Sequence, residues 1–165
     1  MAGDTSSPEY SAEYKKAEQA ALRLIARAEQ CSWVLVYKLE KKKFNPQIIK
    51  DLIRHLEELD LVNDLRYAQL WLKTRIRNGN KAPHMLNMQL MAKGLDRETV
   101  KAALDSALTP EAETALLRSC IVKFDQYKNK NKNKINKNNI KTAIRSFLKM
   151  QGFSADAINL YMEEL

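Results

Sequence analysis

Residues Leu90–Leu108 read LMAKGLDRETVKAALDSAL, the end of one helix, a tight joint and a second, amphipathic helix. Gly94 suits the left-handed position just past a helix end, and Leu95 supplies the apolar contact that accompanies such a cap. Asp96 is a good N-cap for the helix that follows. Val100, Ala103, Leu104 and Ala107 then recur on one face at helical spacing.

The same unit occurs upstream as LEKKKFNPQIIKDLIRHLEEL, Leu39–Leu59, and downstream as LKMQGFSADAINLYMEEL, Leu148–Leu165. Aligned on the joint, Phe44, Leu95 and Phe153 coincide, and so do the caps Asn45, Asp96 and Ser154. Leu39, Leu90 and Leu148 precede the joint at one common distance, and Ile49, Val100 and Ile158 follow it at another. The copies are spaced by 51 and 58 residues. Recurrence at a period near fifty indicates a helical repeat protein. Lys43 stands where the other copies have glycine, so the first joint is expected to carry left-handed strain of roughly 1–2 kcal/mol.

Working outward, the chain divides into a polar lead-in over 1–17 and helical repeats over 18–62, 63–108 and 109–165. In the first repeat, Leu22, Ile25 and Ala28 mark one helix, and Ser32 is read as the cap of the next. Pro46 then opens a third helix whose stripe of Ile48, Ile49, Leu52, Ile53, Leu56 and Leu59 is broad enough for burial between two neighbours. The second repeat opens at Asn63 and Asp64, and Pro83 starts its second helix after Asn78-Gly79-Asn80. Trp71 reads as a packing residue rather than a platform for a base. Thr109 and Pro110 open the third repeat. Its Lys/Asn-rich loop, 128–139, is low in complexity and accounts for the longer second spacing.

Only 4 Gly and 4 Pro in 165 residues suit an all-α chain. No apolar run reaches the roughly 18 residues that span a bilayer, and the N-terminus lacks the apolar core of a signal peptide. Cys31 and Cys120 sit in unrelated helical patterns and read as small buried apolar residues. A cytoplasmic protein is the simplest expectation. His55 and His84 have no cysteine pairs nearby, so no metal site is expected. No nucleophile elbow, phosphate-binding glycine loop or HExxH motif is present, and the carboxylates lie on charged helix faces. No catalytic residues and no cofactor are therefore expected.

The net charge of +8 is unevenly placed. Leu65–Leu95 contains no Asp or Glu but carries Arg66, Lys73, Arg75, Arg77, Lys81 and Lys93. Gln126–Ala155 is again free of acids and carries Lys128, Lys130, Lys132, Lys134, Lys137, Lys141, Arg145 and Lys149. The remainder is net acidic. Both windows cover the same part of their repeats, and equivalent positions of stacked repeats lie along one side. A single basic stripe facing a polyanion or an acidic partner follows. On these grounds alone the protein could bind DNA directly through basic helical units, or serve as a helical adaptor for an acidic protein.

Two stretches carry a family resemblance: ALRLIARAEQCSWVLVYKLEKKKF, Ala21–Phe44, and NDLRYAQLWLKTRIRNGNKAPHMLNMQLMAKGLD, Asn63–Asp96. Through Asp64-x-Arg66-Tyr67-Ala68, Arg75-x-Arg77-x-Gly79, Pro83 and Leu90-x-x-Lys93-Gly94-Leu95, the chain resembles the RecX family of bacterial recombination regulators. It departs from the family pattern at Ala82 and Lys43, where glycine is usual, and at Leu35, where an acid is usual. The resemblance implies an elongated, curved, solenoid-like array of three three-helix repeats without enzymatic activity. It implies a monomer that binds the RecA recombinase filament in its groove, suppressing strand exchange, ATP hydrolysis and coprotease activity, with DNA as a weaker direct partner. By analogy, Arg66, Lys73, Arg75, Arg77, Lys81 and Lys93 form the contact surface. Lys130, Lys132, Lys134, Lys137, Arg145 and Lys149 extend it.

Overall fold

The computed structural model describes residues 8–77, 81–130 and 140–164. Within them the chain is all-α. The helices run α1 Pro8–Ile25, α2 Ser32–Lys41, α3 Pro46–Glu58, α4 Asp64–Arg77, α5 Pro83–Met91, α6 Arg97–Ala107, α7 Pro110–Lys130, α8 Ile140–Met150 and α9 Ala155–Glu163. The closest packing falls among α1, α2 and α3, then among α4, α5 and α6, then of α9 against α7 and α8.

Local chemistry explains each joint. Asn45, Asp96 and Ser154 cap α3, α6 and α9, their side chains accepting from the N–H groups of Gln47, Thr99 and Ala157. These bonds satisfy donors that the first helical turn leaves without a partner. Just before each cap the backbone turns left-handed, at Lys43 (φ 63°), Gly94 (φ 80°) and Gly152 (φ 83°). The returning N–H of Phe44 reaches the Leu39 carbonyl at 3.5 Å, and that of Phe153 reaches Leu148 at 3.3 Å. Helix α2 departs from expectation. Its N-cap is Cys31, which makes no side-chain cap bond, and Ser32 is already helical. Ser32 instead gives both its N–H and its hydroxyl to the Asp64 carboxylate, at 2.7 Å each.

The N-terminal segment also differs from the expected lead-in over 1–17. Helix α1 is formed from Pro8 and is docked. Ala17 and Ala21 are fully buried, small enough to let α1 lie close to α3. The Tyr10 hydroxyl donates to Asp51 at 2.6 Å, and Glu13 accepts the Asn45 N–H at 2.8 Å. The docked face is Tyr10, Tyr14, Ala17, Ala21, Leu24 and Ile25, a stripe of alanines and tyrosines set among charged residues, with few large aliphatic side chains to mark it. At the other expected loop, 128–139, α7 continues through Lys130, and residues 131–139 lie outside the described segments.

Two apolar clusters hold the helices. One joins Ala17, Ala21, Leu35, Leu39, Ile48, Ile49, Leu52, Ile53, Leu56 and Val62 within α1–α3 and the turn after them. The other runs continuously from Ala68 and Leu72 through Leu86, Leu90, Val100 and Leu104 to Leu117, Ile144, Leu148 and Ile158. Each fully buried leucine contributes about 1.5–3 kcal/mol. Cys31 belongs to the second cluster although it precedes α2, so the first three helices insert one residue into their neighbour's core.

The seam around that residue carries polar and aromatic contacts as well. The Cys31 thiol donates to the Lys93 carbonyl at 3.7 Å, and Arg66 reaches back to Glu29. Gly94 lies against the Trp33 ring, where an added Cβ would come within 2.3 Å of Cγ. The next seam repeats the arrangement, with Gly152 against His84 and the His84 N–H donating to the Gln151 carbonyl at 2.9 Å. Trp33 and His84 occupy the same position in their helices, the second residue of α2 and of α5.

Candidate functional site

The basic residues singled out from the sequence divide into several groups. Arg66 is committed to the fold. Its Nε donates to Glu29 Oε1 at 2.7 Å, Nη1 to Asp60 Oδ2 at 2.8 Å and Nη2 to the Asp60 carbonyl at 3.0 Å. The Glu29 hydrogen bond leads the causes that hold its guanidinium above the ordinary range. Arg66 thus ties the turn after α3 and the loop before α2 to α4.

Arg75 and Lys93 are brought together by the fold. Arg75 lies one turn after Trp71 on α4, while Lys93 comes from the joint between α5 and α6. The Arg75 guanidinium carbon stands 5.1 Å from the Trp71 ring centroid, and Lys93 Nζ stands 6.0 Å from the same point. Both distances are in the range where a cation is attracted to an aromatic face. Trp71 is half-buried and packs its body on the second core, which fixes the ring.

Lys73 and Arg77 line a shallow hollow of about 560 Å³ between α4 and α6, with Gln69, Ile76, Ser106 and Ala107. Lys81 is half-buried just before α5. In the last three helices, Arg145 Nη1 donates to Asn159 Oδ1 at 2.7 Å, and Lys149 is exposed in the last turn of α8. Lys130 closes α7, with its side chain outside what is described, and Lys132, Lys134 and Lys137 fall outside the described residues.

One part of the surface was not anticipated. Trp33 and Tyr37 on α2 are 48% and 44% exposed and stack in parallel, with centroids 5.7 Å apart and an interplanar angle of 1°. Lys41, one turn further along, lies 4.6 Å from the Tyr37 centroid. Trp33 touches Gly94, and Gly94 adjoins Lys93, so this ladder continues onto the Trp71 group. The signal was present as an aromatic, aromatic, cation series at four-residue steps, Trp33, Tyr37 and Lys41.

Among the described residues no group of His, Cys, Asp or Glu is arranged to hold a metal ion. Cys31 is buried, and desolvation raises its thiol pKa above the ordinary value, away from nucleophilic chemistry. No helix among the described residues is long and apolar enough to cross a membrane.

The described residues thus form an all-α protein that gathers cations on aromatic rings at its surface. Residues 63–104 match the family described as RecX, second three-helix domain. The chain is 28% identical over 157 residues to regulatory protein RecX of Bacillus subtilis, a match covering 95% of this chain and 58% of that protein. It is 28% identical over 152 residues to regulatory protein RecX of Clostridium acetobutylicum, covering 92% and 70%. It therefore spans little more than half the length of the Bacillus relative. The crystal structure of RecX from Lactobacillus salivarius superposes with a TM-score of 0.71 at 23% identity, covering 94% of this chain and 97% of that one. A second structure, of regulatory protein RecX, gives 0.74 at 20% identity, covering 100% and 81%; both show the shared all-α fold. Along nearly its whole length the chain is similar to RecX regulatory proteins, and its middle part matches a RecX domain.

Proposed function

We propose that this protein is a non-enzymatic, monomeric, cytoplasmic regulator of the RecA recombinase, lying in the groove of the RecA–DNA filament and suppressing strand exchange, ATP hydrolysis and coprotease activity. Its helices group as three repeats, α1–α3, α4–α6 and α7–α9, stacked into a bowed rod that bridges successive filament protomers. The observation that carries the reading is the gathering of Arg75 and Lys93 from separate elements onto one ring, beside an acid-free stretch of chain. Similarity to RecX regulatory proteins supports it. A rod bridging protomers would bias filament growth or cycling without touching one catalytic centre.

The test is charge reversal at Arg75 and Arg77. Both side chains are exposed, so Arg75→Glu with Arg77→Glu should leave helicity and melting unchanged while abolishing inhibition of RecA ATPase. Full inhibition by that variant overturns the assignment. A pull-down with RecA, with and without single-stranded DNA and a nucleotide analogue, separates filament binding from direct DNA binding and from an adaptor role.

A further inference from the structure

Two cations share one aromatic ring. Like charges disfavour one another, yet Arg75 and Lys93 both lie about the Trp71 ring. Among the described residues neither forms an ion pair, whereas Arg54, Arg66 and Arg118 each do. The ring's negative face offsets part of the repulsion. An anion seated between the two would offset the rest.

We propose that Trp71 is a positioning residue that presents Arg75 and Lys93 as one two-cation site for a backbone phosphate of nucleic acid, with Lys41, held by the Trp33–Tyr37 pair, as the neighbouring contact along the strand. Charge favours a nucleic acid over an acidic protein. Across Leu65–Leu95 the cations are not interrupted by a single acid, which suits a uniform polyanion better than a mixed protein surface. The rings themselves do not serve the bases. Trp33 and Tyr37 stack on each other, Lys41 lies over Tyr37, and Trp71 is taken by its two cations. Binding is therefore through preset charge spacing, independent of base identity, in contrast to the stacking platforms of single-strand binders. This rests on the reading above that the basic face is the working one, and names what it touches there.

The experiment titrates the full chain against labelled oligothymidylate and an abasic deoxyribose-phosphate strand of equal length, over a range of salt. The two strands should bind the wild type within about twofold, since the phosphates carry the contact. Arg75→Gln with Lys93→Gln should flatten the slope of log affinity against log salt by about 0.7, the share of the one phosphate that the two cations hold on a single strand. Trp71→Leu keeps both cations but not their ring; it should weaken binding about fivefold, and Trp71→Phe should restore most of it. A Trp71→Leu protein that melts earlier yet binds with wild-type affinity and slope would show a packing role alone and overturn the proposal. So would a preference above tenfold for thymidylate over the abasic strand. Wild-type protein that binds strands as expected but leaves RecA filaments untouched overturns the filament reading and leaves the two-cation site standing.

Discussion

The Trp33 ring occupies the space that a side chain at Gly94 would need: an added Cβ would lie 2.3 Å from Trp33 Cγ and 2.7 Å from its Cβ. Glycine is required here twice over, for its left-handed φ of 80° and for the ring against it. Gly94→Ala should cost about 1–2 kcal/mol for the backbone and about 1–3 kcal/mol more for overpacking. Urea unfolding measures the loss. Trp33→Ala in the same chain should recover the second part and not the first. If Trp33→Ala recovers nothing, the ring is not what crowds the joint.

Lys43 holds the corresponding joint position at φ 63°, but its side chain is exposed. Only the backbone strain remains there. Lys43→Gly should relieve roughly 1–2 kcal/mol of left-handed cost and return about 0.4–1 kcal/mol through the freer unfolded chain. A small net stabilisation is expected, read as a rise in melting temperature. A clear fall would mean the lysine side chain holds something at that end.

Stability at the pH extremes should depend on Tyr10 and Asp51. Asp51 is lowered from 3.8, the Tyr10 hydrogen bond being the largest cause, and Tyr10 is raised from 10.0 to about 12, chiefly by the same bond. A depressed carboxylate contributes stability above its unfolded pKa and loses it as pH falls through the folded value, so the acid window lies below about 4. A raised phenol contributes below its unfolded pKa and loses it as pH rises, between about 10 and about 12. Tyr10→Phe should therefore be less stable than wild type at neutral pH, with the gap closing at both extremes. Denaturant midpoints across pH measure it, and a constant gap throughout would contradict the linkage.

Arg66→Gln separates structure from binding. Its guanidinium is 36% exposed, so its ion pairs to Glu29 and Asp60 are partly screened and contribute little to stability. Melting should fall slightly, while the salt dependence of nucleic-acid binding stays as in the wild type. A flattened slope would return Arg66 to the contact surface.

The joints were legible in the sequence because capping is local chemistry: a left-handed residue, an apolar contact and a polar cap lie within a few positions at 43–45, 94–96 and 152–154. Charge segregation was legible as composition. What escaped depended on partners distant in the chain. Glu29 and Arg66 are 37 residues apart, so nothing near Arg66 announced that it was already paired. Ser32 looked like a helix cap until Asp64, 32 residues on, proved to hold it. Helix α1 escaped because its docked face is built from Tyr10, Tyr14, Ala17 and Ala21 among charged residues, a weaker hydropathy signal than a run of leucines. Trp71 read as a packing residue, and its body does pack; the cations on its ring come partly from a joint 22 residues away, at Lys93.

The division of the interior into two apolar clusters bears on how the molecule comes apart. The first three helices own one reservoir of buried surface and α4–α9 share the second; among the described residues, Cys31 is the fully buried one that crosses between them, with Val34 packed beside it. Heat or denaturant should therefore release the amino-terminal third as its own cooperative unit, with amide exchange there faster than in α4–α9. Because Trp33 and Gly94 meet at that boundary, its opening would also separate Lys41 from Arg75 and Lys93. Loosening the first three helices would break up the proposed contact surface before the rest of the fold is lost.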